Sequence, residues 1–215
     1  MALADDVRHA MKTRNDIQGF SLIELTIAIV VFAVIVVVAI PNISEWVGKA
    51  RVRASAEAVQ NSIRFAQSEA VKRNKLIEFS LINSTTPPAA NLGGFNNDLA
   101  IDNGTAWVVR MIDDPSDSTK GRTFLQGDVF STNGIQLLGG SNATLVFGGI
   151  GQVYTAFPSG GSPILSSTRA YRIASFGGKY PLCVLVAPGG GVRWCDPSLA
   201  SGDRSCPGSA TNSCL

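Results

Sequence analysis

From Leu25 to Ile40 this chain carries no charged residue, and Pro41 closes the run. Counted from Phe20 to Ile40 the segment is 21 residues long, close to the roughly 20 that an α-helix needs to cross the hydrocarbon of a bilayer. It is longer than the apolar part of an ordinary secretory signal, and no A-x-A-like site follows before polar residues resume. A plain membrane anchor accounts for all of it except Glu24. A carboxylate inside such a span costs on the order of 3 kcal/mol at the helix centre and less toward the interface, so it calls for a cationic partner. If the chain were cut between Gly19 and Phe20, the new α-amino group of one copy could pair with Glu24 of a neighbour. The stretch in front, Met1 to Gly19, is polar, with Arg8, Lys12 and Arg14 set against Asp5, Asp6 and Asp16. Basic residues on that side favour a cytoplasmic N-terminus.

Beyond Pro41 the pattern turns amphipathic. Asn42 to Asn74 contains no proline and a single glycine, Gly48. Val52, Val59, Ile63, Ala66 and Ala70 recur at helical spacing and form a stripe able to pack on a sheet. Glu45, Lys49, Arg51, Arg53, Glu57, Arg64, Glu69, Lys72 and Arg73 fall largely elsewhere. They read as a solvated face in contact with neighbouring subunits rather than as a phosphate site. A helix over Ser21–Asn74 would be roughly 80 Å long at its usual rise per residue. Pro41 removes one backbone hydrogen bond, so a kink or local melting is expected there.

Past Lys75 short strand-like runs alternate with turn residues. The predicted strands are Leu76–Leu81, Ala106–Ile112, Val129–Phe130, Ile135–Leu138, Ala143–Phe147, Gln152–Phe157, Tyr171–Ser175, Leu182–Ala187 and Gly191–Cys195, with Thr85–Asp98 as a loop. One long helix followed by antiparallel strands predicts an α+β fold, with the amphipathic half of the helix across the sheet. Pro188-Gly189-Gly190 is a hairpin turn signal. If those three residues form the loop, Cys183 falls opposite Cys195, which suggests a cross-strand bridge between them and a second bridge from Cys206 to Cys214. A slip of one residue would break that alignment.

Composition removes several functions. A formal net charge of +2 offers no chain-wide basic field for nucleic acid. All four cysteines lie after residue 182, without C-x-x-C pairs or nearby histidine, so disulfides in an oxidising compartment are expected rather than zinc. His9 is the one histidine. Once the leader is gone, no imidazole is left for a Ser-His-Asp or Cys-His nucleophile system or for a metal. Asp113, Asp114, Asp117 and Asp128 lack the glycine and terminal glutamate of an EF-hand loop and read as solvated. The glycine clusters at 148–151 and 189–191 open no predicted helix, so they read as turns rather than phosphate cradles. Asn83, Asn103 and Asn142 each begin an acceptor-like Asn-x-Ser/Thr triplet, a weak signal in a chain rich in Asn and Ser. No polar constellation suggests an enzyme, and no cofactor or metal is expected.

The segment Gly19-Phe20-Ser21-Leu22-Ile23-Glu24-Leu25 resembles the class III signal of type IV pilins and type II secretion pseudopilins. In that family a prepilin peptidase cuts after the glycine and methylates the new N-terminal phenylalanine, here Phe20. Pro41 matches the family's proline near the end of the apolar run. The stretch from Ala56 to Asn74, Val146-Phe147 with Gly151, and Gly191-Val192-Arg193-Trp194-Cys195 resemble the pseudopilin H/FimT/FimU group of minor pilins. The resemblance implies a leader at 1–19, a membrane or filament-core helix at 20–41, an amphipathic helix at 42–75 and a β-rich pilin-like domain at 76–215. It implies a structural subunit that primes or caps a pilus, or its counterpart in type II secretion. Its partners would be the peptidase, other minor pilins, the major pilin and an inner-membrane assembly platform. Its place would be a single pass in the inner membrane with the domain in the periplasm, then the fibre, near its tip, or a periplasmic pseudopilus. FimT-like relatives bind DNA through a motif with two arginines; here Arg193 alone stands there beside Trp194, with Asp196 and Asp203 nearby, so nucleic acid is a minor alternative.

Overall fold

The computed structural model describes residues 19–88, 101, 103–113, 121–130, 134–139, 143–154, 164–207 and 214, and the side chains of 38–42 lie outside that description. The leader with His9, most of the Thr85–Asp98 loop, Asp114, Asp117, Asn142 and the end of the Gln152–Phe157 run also lie outside it. Two compact units divide at Ser44 and Glu45.

The first unit holds the start of α1 (Leu22–Arg73), whose helical ladder is continuous past Pro41. Of the kink or local melting expected at Pro41, the melting is not found. The ring removes one donor, and the bonds on either side of that gap still hold the ladder. Among the described residues no helix is long and apolar enough to cross a membrane. The described side chains of the apolar run stop at Val37 and resume at Ile43.

In the second unit the remainder of α1 is the spine of the domain. Val52, Ala56, Val59, Ile63, Ala66 and Ala70, alternating four and three apart, are all fully buried. The helix stops at Asn74, which takes the left-handed conformation at φ 49°. There the Lys75 N–H donates to the Ala70 carbonyl (3.3 Å) and the Asn74 N–H to that of Val71 (3.4 Å), the bond pattern of a Schellman cap.

Ten strands follow among the described residues: β1 (Ile77–Ile82), β2 (Asn103–Gly104), β3 (Ala106–Ile112), β4 (Arg122–Val129), β5 (Ile135–Leu138), β6 (Thr144–Phe147), β7 (Val153–Tyr154), β8 (Arg169–Ser175), β9 (Lys179–Val186) and β10 (Val192–Cys195). They build two five-stranded sheets, ordered β4-β3-β1-β6-β7 and β10-β9-β8-β5-β2. The buried stripe of α1 shares one core with Phe79, Trp107, Val109 and Phe147 of the first sheet and Ile135, Tyr171, Ile173 and Val184 of the second. Phe79 ties the sheets together, lying stacked 6.3 Å from Trp107 and edge-on 5.6 Å from Tyr171. The fold is the expected α+β arrangement. The runs at β3 and β5 match the predicted bounds, whereas β2 and most of β4 were not foreseen.

Candidate functional site

Phe20 and Ser21 precede the helix, and the Leu25 N–H donates to the Ser21 carbonyl (3.1 Å) as the first rung of its ladder. Ser21 is therefore the N-cap, and Glu24 stands three residues on, in the first turn. A Ser-x-x-Glu spacing is that of a capping box, and an acid there is favoured by the helix dipole. That signal was readable in the sequence and was passed over. Among the described residues Glu24 makes no ion pair.

Around this helix start the apolar side chains are exposed among the described residues. Phe20 is 86% exposed, and the consecutive Ile29, Val30, Val31 and Phe32 are each more than half exposed. Four successive residues sample every face of a helix at about 100° apiece, so the segment is apolar all round. A helix of that kind belongs in a membrane or in the core of a larger body.

At the other end of the chain, β9 and β10 pair with Val192 opposite Val186 and Cys195 opposite Cys183. That is the register expected from the Pro-Gly-Gly turn, where the Ala187 N–H donates to the Gly191 carbonyl (2.8 Å). The bridges are different. Cys183 joins Cys214, and Cys195 joins Cys206, so the suggested Cys183–Cys195 and Cys206–Cys214 pairs are wrong. The two opposed cysteines turn into one buried cluster with Ala170, Leu185 and the tail cysteines. Proximity across the strands therefore does not decide the partner, and each hairpin cysteine instead fastens the tail. A parallel bridge between Asp196 and Ser205 and the Asp196 N–H to Arg204 carbonyl bond (2.7 Å) lay the tail alongside β10.

A family model described as type II transport protein GspH matches residues 55–190, more than half of the chain. The chain belongs to the GspH family. A second model, described as the prokaryotic N-terminal methylation motif, matches residues 14–40 and so takes in Gly19, Phe20 and Glu24. The methylation motif implies membrane-anchored assembly. Among solved structures, the type IV minor pilin FimU of Pseudomonas aeruginosa is similar at 18% identity, covering 72% of this chain and 99% of that one with a TM-score of 0.44. A second crystal form of it covers 73% and 95% at 18% identity, with a TM-score of 0.46. The minor pseudopilin EpsH of the Vibrio cholerae type 2 secretion system is similar at 14% identity, covering 69% and 99% with a TM-score of 0.41. No curated protein sequence matches the chain.

On this family scaffold the remaining candidate residues separate. Arg193 is exposed on β10 opposite Leu185. The cations that flank Trp194 are others, Arg53 at 5.8 Å and Arg204 at 5.4 Å from the ring centre. Sequence reasoning missed both, since α1 and the tail meet there only through the fold. The Arg64 guanidinium (2.9 Å) and the Gln60 amide (3.1 Å) donate to the Val192 carbonyl, fixing β10 along the helix.

The aspartates do local work: Asp113 accepts from the Thr123 hydroxyl (2.6 Å) and Asp128 from the Val129 N–H (2.7 Å). Among the described residues no group of acidic, histidine or cysteine side chains is placed to hold a metal ion. The Gly148–Gly151 stretch is a turn between β6 and β7, with the Gly148 N–H donating to the Gln152 carbonyl (3.0 Å).

The structure also buries a charge cluster that the sequence reading did not find. On β1, Glu78 Oε1 lies 2.6 Å from Arg110 Nη2 and Oε2 lies 2.7 Å from Arg122 Nε, and Ser80 donates to the same carboxylate. Burial pushes the Glu78 carboxyl up. Arg110 and Arg122, with the hydrogen bonds from Ser80 and Arg110, outweigh it and hold the group below its ordinary value. The cluster is structural, on the face of β1 opposite Ile77, Phe79 and Leu81, which line the main core.

Proposed function

We propose that this chain is a minor type IV pilin, a structural subunit that enters an envelope fibre through its N-terminal helix. The observation that supports it is the helix segment from Phe20 onward, apolar on every face and exposed among the described residues. Water is a poor solvent for such a surface, so the segment waits in the inner membrane and then passes into the fibre's core. Between the two, the peptidase cuts after Gly19, Phe20 becomes the methylated N-terminus, and its α-amino group pairs with Glu24 of an adjacent copy or of another pilin. The domain from Glu45 onward stays in the periplasm during this passage and decorates the fibre afterwards.

A pseudopilin role in type II secretion is the second reading, favoured by the description of the matching family as a type II transport protein. One experiment separates them. The chain is tagged in its native host, and sheared surface fibres and secreted enzymes are both assayed. The pilin reading expects the tag in the fibres and a loss of pili on deletion. Loss of secretion with pili intact would overturn it in favour of the pseudopilin. In the same strain Glu24→Ala is expected to cut incorporation at least severalfold while the domain keeps its thermal unfolding midpoint. Normal incorporation of that variant would sink the proposed ion pair.

A further inference from the structure

The bridges are nested. The first cysteine is joined to the fourth and the second to the third, Cys183–Cys214 around Cys195–Cys206. A chain is made and exported from its N-terminal end, so Cys183 and Cys195 reach the oxidising compartment before Cys206 and Cys214. For that interval they have only each other to pair with. In the β9–β10 hairpin Cys183 and Cys195 stand directly opposite each other, at the Cα separation of paired antiparallel residues, which is within disulfide range. The first pair an oxidant meets is thus absent from the finished protein.

We infer that the chain is a substrate of a dithiol–disulfide isomerase, which must convert an early Cys183–Cys195, Cys206–Cys214 form into the nested one. This draws on the proposed function only in placing the domain where thiols are oxidised. Each early bridge forms as two thiols pass two electrons and two protons to the disulfide of a thiol oxidase. An isomerase thiolate then attacks Sγ of Cys195, breaking its bond to Cys183 and releasing that thiolate. The Cys183 thiolate attacks Sγ of Cys214, forming Cys183–Cys214 and freeing the Cys206 thiolate. Cys206 attacks Sγ of Cys195 in the mixed disulfide, closes Cys195–Cys206 and returns the isomerase thiolate. Two disulfides enter and two leave, with no net electron transfer.

The nested product is selected by contacts that do not involve sulfur. The Asp196 N–H to Arg204 carbonyl bond of 2.7 Å, the Asp196–Ser205 bridge and Arg204 over the Trp194 ring at 5.4 Å bring Cys206 to Cys195. Once closed, Cys183, Cys195 and Cys214 are buried, which shields the bridges from further exchange.

The full chain is synthesised in vitro and translocated from its N-terminal end into membrane vesicles that hold a thiol oxidase alone or with a dithiol isomerase added. Bridges are trapped by alkylation and mapped by mass spectrometry of non-reduced digests. With the oxidase alone, Cys183–Cys195 is expected first and in majority, and the isomerase should speed the nested pairs severalfold. The double variant Cys195→Ser with Cys206→Ser can form one bridge only, and its Cys183–Cys214 yield should not respond to the isomerase. Nested pairs appearing first from the oxidase alone, or at an unchanged rate with isomerase, would overturn the inference. Because this assay involves no cell, filament or type II secretion, its result is independent of whether the pilin reading holds.

Discussion

Glu78 forms ion pairs with two guanidinium groups, and both Glu78 and Arg110 are buried. Removing the carboxylate would break a buried ion pair, so Glu78→Ala is expected to cost about 3–5 kcal/mol, read as a fall in the denaturation midpoint of the domain. The pH dependence has a definite sign. A carboxyl held below its unfolded value contributes stability at neutral pH, and that contribution is lost as pH falls through the folded value. The wild-type domain should therefore lose stability on acidification below the ordinary carboxylate value of 4.5. Glu78→Gln should start lower and show a shallower loss over the same range in thermal melts. The sequence concealed this site for a physical reason. Ile-Glu-Phe-Ser-Leu-Ile alternates as a strand with one wet face does, and a linear pattern carries no sign that the polar face is also covered. Glu24 is the opposite case, since a lone acid against an uncharged run stands out without any structure.

At the scale of elements, the helix and sheets were legible wherever burial wrote a period into the chain. The α1 stripe was read from its spacing, and β3 and β5 from short apolar runs. β4 was read only at its end because it is an edge strand, with Arg122, Gln126, Gly127 and Asp128 among its residues and partial exposure through most of its length. Its pairing, rather than its composition, makes it a strand. The stripe carries its own test. Ile63 is fully buried between α1 and both sheets, so Ile63→Ala should cost about 2–5 kcal/mol in chemical denaturation of the domain. The hairpin turn carries another. Gly190 has φ 80°, and a Cβ there would collide with the Gln67 amide. Gly190→Ala should lower the domain's stability by roughly 1 kcal/mol or more, while Gly189→Ala, with open space around it, should have little effect in the same assay.

For the whole molecule, the division at Ser44 and Glu45 predicts that a chain beginning at Glu45 folds by itself. Expressed into an oxidising compartment, it should be monomeric and soluble without detergent and should unfold in one cooperative transition by circular dichroism. The chain from Phe20 onward should need micelles. Aggregation of the shorter form, or a non-cooperative melt, would show that the apolar segment is needed for the domain's own stability. The family motif was legible because it depends on few residues in strict order. The cysteine pairing was not, because four sulfurs in one cluster satisfy register and proximity in more than one way.

The outer of the two bridges has a mechanical consequence. Cys183 lies on β9, which is hydrogen-bonded to β8 on one side and β10 on the other. A pull on the last residues is therefore delivered covalently to an interior strand instead of peeling the hairpin from its edge. Stretched by its C-terminal end, the oxidised domain would have to shear two ladders at once, and the reduced one would unravel a strand at a time.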